Sequence, residues 1–121
     1  NVMVAGDGLR AGIDWGLAHL GDPMEDVAWP CGRAWRFGAD PEVGGLAGRD
    51  LLYGAYEEAT GTVVDRRRTH WWEVLSTLKW GVMCLIMVAA FRGGMDRSVE
   101  RATIGRRASE TEIDLLNLLL K

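Results

Sequence analysis

The stretch Asn1-Val2-Met3-Val4-Ala5-Gly6-Asp7-Gly8-Leu9-Arg10-Ala11-Gly12-Ile13-Asp14-Trp15-Gly16 decides how the chain begins to fold. Val2-Met3-Val4 and Leu9 to Ile13 are short strand-like runs. Asp7-Gly8 between them tolerates the positive φ angles that a tight hairpin needs. The reading is a β-hairpin. Because a hairpin returns its two ends to one place, Asn1 and Asp14, thirteen positions apart, can offer oxygen atoms to a single hard cation. Taken singly, each is also an ordinary turn residue.

Beyond Ile13 the pattern becomes helical. Gly21-Asp22-Pro23 is a helix start, with Asp22 able to cap free backbone N–H groups and Pro23 suited to the first helical position, and it predicts a helix over 23–31. Residues 37–48, rich in Gly and interrupted by Asp40-Pro41, read as a loop. Leu52, Tyr53, Tyr56 and Ala59 recur at helical spacing before Gly61 and predict a helix over 49–60. After Asp65, the stripe Trp71, Trp72, Leu75, Leu78, Val82, Leu85, Ile86 and Ala89 predicts the core helix, enclosed by neighbours after Trp80 and ended by Gly93-Gly94. Val99, Ala102, Ile113, Leu116 and Leu120 predict one last helix, with Glu110, Glu112, Asp114 and Asn117 mostly on its wet face. The expected class is mainly α with an N-terminal β-hairpin (α+β).

Composition narrows the function. A net charge of −3 over 121 residues gives no electrostatic reason to expect nucleic acid. The longest apolar run, Trp80 to Phe91, falls short of the roughly 20 residues of a membrane span, so no membrane partner is expected. Cys31 and Cys84 lack metal-ligand spacing and read as reduced core thiols, which points to the cytoplasm. Residue 1 is Asn rather than Met, and an apolar run follows at once, so the expected start lies inside a longer chain.

Asn1, the hairpin, Ile13-Asp14-Trp15, and then His19-Leu20-Gly21-Asp22-Pro23-Met24-Glu25-Asp26-Val27-Ala28-Trp29 together resemble the aminoglycoside phosphotransferase and choline kinase-like (APH) family, a branch of the protein-kinase-like fold. The resemblance implies that Asn1 ends the catalytic loop and that Asp14-Trp15-Gly16 stands where protein kinases carry Asp-Phe-Gly. It implies a partial C-terminal lobe, with 1–16 as the metal-binding hairpin and 17–121 as a helical, substrate-side subdomain. Asn1 and Asp14 would then hold Mg²⁺ bound to ATP, and Asp26 would brace the catalytic-loop backbone. The family's catalytic Asp lies five residues before the loop Asn, a place that precedes residue 1. The phosphate-covering loop, strand Lys and helix Glu are likewise absent from these residues, so the chain alone is expected to be inactive. Tyr56 to Gly61, Trp71-Trp72-Glu73 and Ile104 to Arg107 are similar to kinase domains associated with acyl-CoA dehydrogenases.

In that fold the helices after the metal-binding Asp shape the acceptor site, so Trp29, Trp72, Glu73 and Trp80 are the pocket candidates for a small-molecule hydroxyl substrate. Aromatic residues at helical spacing are also ordinary core. Arg66-Arg67-Arg68 reads as a solvated helix start, with a phosphate-binding role as the sharper alternative. An antibiotic-resistance enzyme is disfavoured, because Glu110, Glu112 and Asp114 read as one solvated face rather than a site for a polycation. A rival from another class is a non-catalytic helical module that self-associates: Leu115, Leu116, Leu118, Leu119 and Leu120 are too many for one face of a free terminal helix, so they are expected to pack on missing parts of the lobe or on another copy, as a homodimer through apolar helices.

Overall fold

A computed structural model describes residues 1–120 and shows a mainly helical chain with an antiparallel hairpin at its N-terminus, the class expected. Strand β1 (Val2–Ala5) pairs with β2 (Gly8–Gly12), with Val2 opposite Gly12, Val4 opposite Leu9, and an irregularity between Met3 and Val4. Gly8 takes φ +115°, as the turn reading requires. Every hairpin residue except Ala11 is exposed, so the hairpin packs chiefly on itself.

Helix α1 (Pro23–Ala28) starts as expected, with Asp22 Oδ1 accepting from Met24 N–H at 3.0 Å. It is shorter than the predicted 23–31. Pro30 has no N–H to continue the ladder, so the chain tightens into 3₁₀ turns at Trp29–Cys31 and Arg33–Trp35. Helix α2 (Arg49–Thr60) ends at Gly61, whose φ of +67° gives the expected left-handed cap. Helix α3 (Arg66–Arg92) is capped by Asp65, which accepts from Arg67 and Arg68 N–H at 3.0 and 3.1 Å, and ends at Gly93.

The orientation of α3 overturns one expectation. Its covered face is Thr69, Glu73, Ser76, Thr77, Trp80, Gly81 and Cys84, whereas Trp71, Leu78, Val82, Leu85 and Ile86 are 48–62% exposed. Apart from Trp72, the stripe that reads as core lies toward the outer face, because the neighbours α1, α4 and α5 pack on the opposite side. By length and composition α3 could cross a membrane. Its most apolar 18-residue window has mean hydropathy 1.9, and 28% of that window is buried.

The single last helix is also two: α4 (Val99–Gly105) and α5 (Ala108–Leu119). The break falls at Arg106-Arg107, where the Arg107 guanidinium donates to Ala34 O at 2.8 Å and lies over the Trp80 ring. The turn brings Thr111 and Asp114 inward, so Asp114 is buried rather than wet, while Ile113, Leu116 and Leu120 face outward. Close approach fixes this crossing: a Cβ on Gly81 would stand 2.5 Å from Thr111 Oγ1, and one on Gly105 2.5 Å from Val88 Cβ.

A small core of Met24, Val27, Tyr53 and Val64, flanked by Leu52, Tyr56 and Trp72, joins α1, α2 and α3. A row of indoles joins the 29–35 segment to α3, with Trp29 and Trp35 5.3 Å apart and Trp35 and Trp80 4.8 Å apart.

Two substitutions check this packing. Gly81→Val should cost about 1–3 kcal/mol by overpacking against Thr111, whereas Gly54→Ala, where the α2 surface is open, should add about 0.5–1 kcal/mol. Thermal unfolding followed by circular dichroism reads both, and equal melting temperatures for the two variants would contradict the helix crossing.

Asp114 gives a pH test. Burial holds its carboxyl above the ordinary carboxylate range, against the opposing pull of Arg33 at 3.7 Å. With the folded pKa raised, the penalty is absent at low pH, where the group is protonated in both states. It grows as pH rises past about 4, the ordinary carboxylate pKa, to the raised folded value. Asp114→Asn should therefore raise the melting temperature at pH 7, and the gain should vanish near pH 3.

Candidate functional site

The base of the hairpin carries the site. Ile13 N–H donates to Asn1 O at 2.9 Å, closing the strand ends, and the Asn1 amide Nδ2 donates to Asp14 Oδ2 at 3.4 Å. The two side chains read from the sequence as ligands therefore meet. Asp14 sits at φ +63°, one of two non-glycine residues with positive φ among the described residues. An L-residue pays of order 1 kcal/mol for that conformation, and such strain clusters at binding and catalytic sites. Trp15 Nε1 donates back to Gly12 O at 3.0 Å and fixes the chain on the far side of Asp14.

The donor set suits Mg²⁺. It comprises one carboxylate and one amide, whose oxygen replaces its nitrogen on a half-turn of the Asn1 side chain. Among the described residues there is no group of three or more His, Cys, Asp or Glu able to hold a metal ion. Mg²⁺ uses one or two protein oxygens and fills its remaining positions with water and phosphate, so a two-residue site fits that ion.

Two polar clusters tie the segment after Asp14 to the helices. His19 places Nδ1 3.0 Å from Leu17 O and Nε2 3.1 Å from Glu25 Oε2, while Glu25 Oε1 accepts from Lys79 Nζ at 3.2 Å. Both ring nitrogens face acceptors, and only the imidazolium can donate to both. The Leu17 carbonyl, and then Glu25, accordingly raise the His19 pKa above its ordinary value. Asp22 Oδ2 accepts from Trp72 Nε1 at 2.8 Å and from Arg68 at 2.7 Å. With the Met24 N–H as the largest contributor, these donors hold the Asp22 carboxyl below the usual range.

Asp26, the expected brace, lies exposed on α1, and its side chain makes no hydrogen bond among the described residues. The four pocket candidates are not brought together. Trp72 is engaged with Asp22, and Trp29 stacks on Trp35 with Lys79 Nζ 5.6 Å from its ring. Trp80 lines a narrow cleft with Trp35, Ser76 and Thr77. Glu73, its side chain 3% exposed, accepts two bonds from Arg49 at 2.6 and 2.8 Å.

Glu73 borders an open depression of about 240 Å³ that also involves Glu42, Arg49, Tyr53, Arg66, His70 and Leu118. Sequence reasoning missed Arg49 and Tyr53 as parts of this place, since Arg49 is 24 positions from Glu73 and no local spacing links them. The basic run does form a charged helix start, with Arg66 on Asp50 at 2.6 Å and Arg68 on Asp22.

The family model described as APH, the phosphotransferase enzyme family, matches residues 1–72, more than half of the chain. The chain belongs to this phosphotransferase family. The match takes in the hairpin, Asp14, the Asp22–Asp26 segment and α2, and ends at Trp72 within α3. The hairpin followed by helices is consistent with a partial kinase-like lobe. No curated protein and no solved structure matched.

Breaking one side of the buried pair should be costly. Glu73→Ala leaves the Arg49 guanidinium, 21% exposed, facing Glu42 alone, and should lose about 3–5 kcal/mol in urea unfolding. Arg49→Met combined with Glu73→Leu should recover most of that loss. A double variant as weak as the single one would deny the pair its assigned part.

Proposed function

We propose that the chain supplies the metal-binding half of an ATP- and Mg²⁺-dependent phosphotransferase acting on the hydroxyl of a small molecule. The observation that carries this is the meeting of Asn1 and Asp14 at the hairpin base, with Asp14 held in the left-handed conformation, in a chain that belongs to a phosphotransferase family. Bound there, Mg²⁺ would neutralise charge on the nucleotide phosphates. Asp14 supplies a carboxylate and Asn1 an amide oxygen. The Asp22 and His19 clusters hold the intervening backbone against α1 and α3, and Asp26 is left to support the catalytic loop.

The proton acceptor of the substrate hydroxyl would come from the position five residues before Asn1, so the 121 residues by themselves should not transfer a phosphoryl group. The helices from Arg49 onward would shape the pocket for the hydroxyl substrate. The resemblance to kinase domains associated with acyl-CoA dehydrogenases suggests a metabolic hydroxyl compound over an aminoglycoside. A cytoplasmic setting agrees with the two buried free thiols. The second reading, a non-catalytic self-associating module, is favoured by the exposed apolar face of α3.

Mn²⁺, a paramagnetic substitute for Mg²⁺, tests the metal assignment on the chain itself. Titrated into labelled protein, it should broaden the amides around Asn1 and Ile13 to Gly16 first. Asp14→Asn should weaken that binding at least about tenfold. Broadening centred on Glu110 and Glu112 instead, or unaltered by Asp14→Asn, would sink the assignment. In the full-length gene product, ATP turnover with small hydroxyl compounds should be lost in Asp14→Asn, and turnover that survives would deny Asp14 the role.

A further inference from the structure

The 29–35 segment meets α3 across a narrow cleft. Trp35, Ser76, Thr77 and Trp80 line it together with the turn at 32–34, and its volume is about 10 Å³. Ser76 and Trp80 stand four positions apart on α3 and so share a face. They are 5 and 8% exposed. Among the described residues, three buried side-chain polar atoms have no hydrogen-bond partner: Ser76 Oγ, Trp80 Nε1 and Arg36 Nε. The first two belong to this one cleft.

A buried hydroxyl or N–H without a partner bears the full cost of leaving water. In folded proteins nearly all such groups are paired, with protein or with ordered water. The other hydroxyls of the covered face of α3 show the usual solution. Thr69 Oγ1 donates to Asp65 O at 2.9 Å and Thr77 Oγ1 to Glu73 O at 2.8 Å, each to a carbonyl one turn back. Ser76 makes no such bond, so its hydroxyl is free for the cleft. The Trp80 ring is held by Trp35, 4.8 Å away, and by the Arg107 guanidinium 5.9 Å from its centre, which fix where its N–H lies.

We propose that the cleft binds one structural water molecule that bridges Ser76 and Trp80. A volume of about 10 Å³ is the room a single water needs, and two to four polar partners retain it. No larger ligand fits. The water accepts from Trp80 Nε1–H and from the Ser76 hydroxyl. Its own protons are left for carbonyls of the 32–34 turn. Gly32 O and Arg33 O each accept one backbone bond, from Trp35 and Arg36, and so keep a second lone pair. Trp80 then serves to seat the 29–35 segment on α3, and its single donor is committed there rather than to a substrate. The proposal stands apart from the phosphotransferase reading, since it uses no residue of the hairpin.

Nuclear magnetic resonance of the labelled chain tests it. The chain has six tryptophans and so six indole N–H signals. Trp80→Phe identifies the one it deletes. In the unsubstituted chain that proton should show a cross-peak at the water frequency, with the sign of a held water. An absent cross-peak overturns the proposal in favour of a dry cleft. A cross-peak with the sign of passing solvent overturns it in favour of a cleft open to bulk water.

The melting temperature of Ser76→Ala separates a held water from magnetisation relayed through the serine hydroxyl. With water bound, the substitution removes one of its partners and should lower the melting temperature by about 2–4 °C, although alanine is the better helix former. In a dry cleft it removes an unsatisfied hydroxyl and the melting temperature rises. A rise overturns the proposal even where the cross-peak is seen.

Discussion

Glu73, held by two hydrogen bonds from Arg49 at the covered face of α3, sets the constraint on which the helical part depends. A buried carboxylate has to be paired where it lies, and desolvation makes any other position for its partner expensive. This pins the start of α2 to the first third of α3 and ties it to the loop that carries Glu42. The rest of that face is small or hydroxylated: Thr69, Ser76, Thr77, Gly81 and Cys84. Such a face permits close approach rather than deep interdigitation, and α4 and α5 use it at Gly105 and Gly81. Among the described residues, the neighbours of α3 are committed to its polar side, and its apolar side is left exposed.

The same arrangement explains why the outline was legible in the sequence while the inside was not. The helix ends at Asp22, Gly61, Asp65 and Gly93 depend on local chemistry, a capping oxygen or a glycine, and spacing along the chain reveals them. The pairing of Asn1 with Asp14 was legible for the same reason, because a hairpin makes distant positions local. Which face of α3 is buried depends on where α1, α4 and α5 happen to pack. An apolar stripe such as Leu78, Val82 and Leu85 shows only that some surface seeks cover. Asp114 misled for a related reason. An acidic residue on a terminal helix reads as wet unless one knows that Arg107 redirects the chain and that Arg33 waits on the other side.

The placement of Trp29, Trp72, Glu73 and Trp80 follows from helix geometry. Trp72 and Glu73 are adjacent and so project about 100° apart, one to Asp22 above α1 and the other to Arg49 beneath α2. Trp80 lies two turns beyond, on Trp35. A pocket drawn from residue types alone gathers them. The backbone distributes them over three places, and only Glu73 borders the larger depression.

The hairpin half of the candidate site is therefore attached to the helices by polar contacts more than by packing. The hairpin leaves nearly all its residues in water, so the position of Asp14 relative to α3 is carried by the His19–Glu25–Lys79 and Asp22–Trp72–Arg68 clusters. Asp22 contributes an ionised acceptor whose lowered pKa keeps it charged well into the acid range. His19 behaves oppositely. Its pKa is raised in the folded chain, so its bridge is complete at pH values below the ordinary histidine pKa and is lost as pH rises through the raised value. Such exposed charges are weak singly and are screened by salt. A segment held this way keeps its backbone geometry from Asp14's own left-handed conformation and from Trp15's bond to Gly12, while its approach to the helices responds to pH and ionic strength.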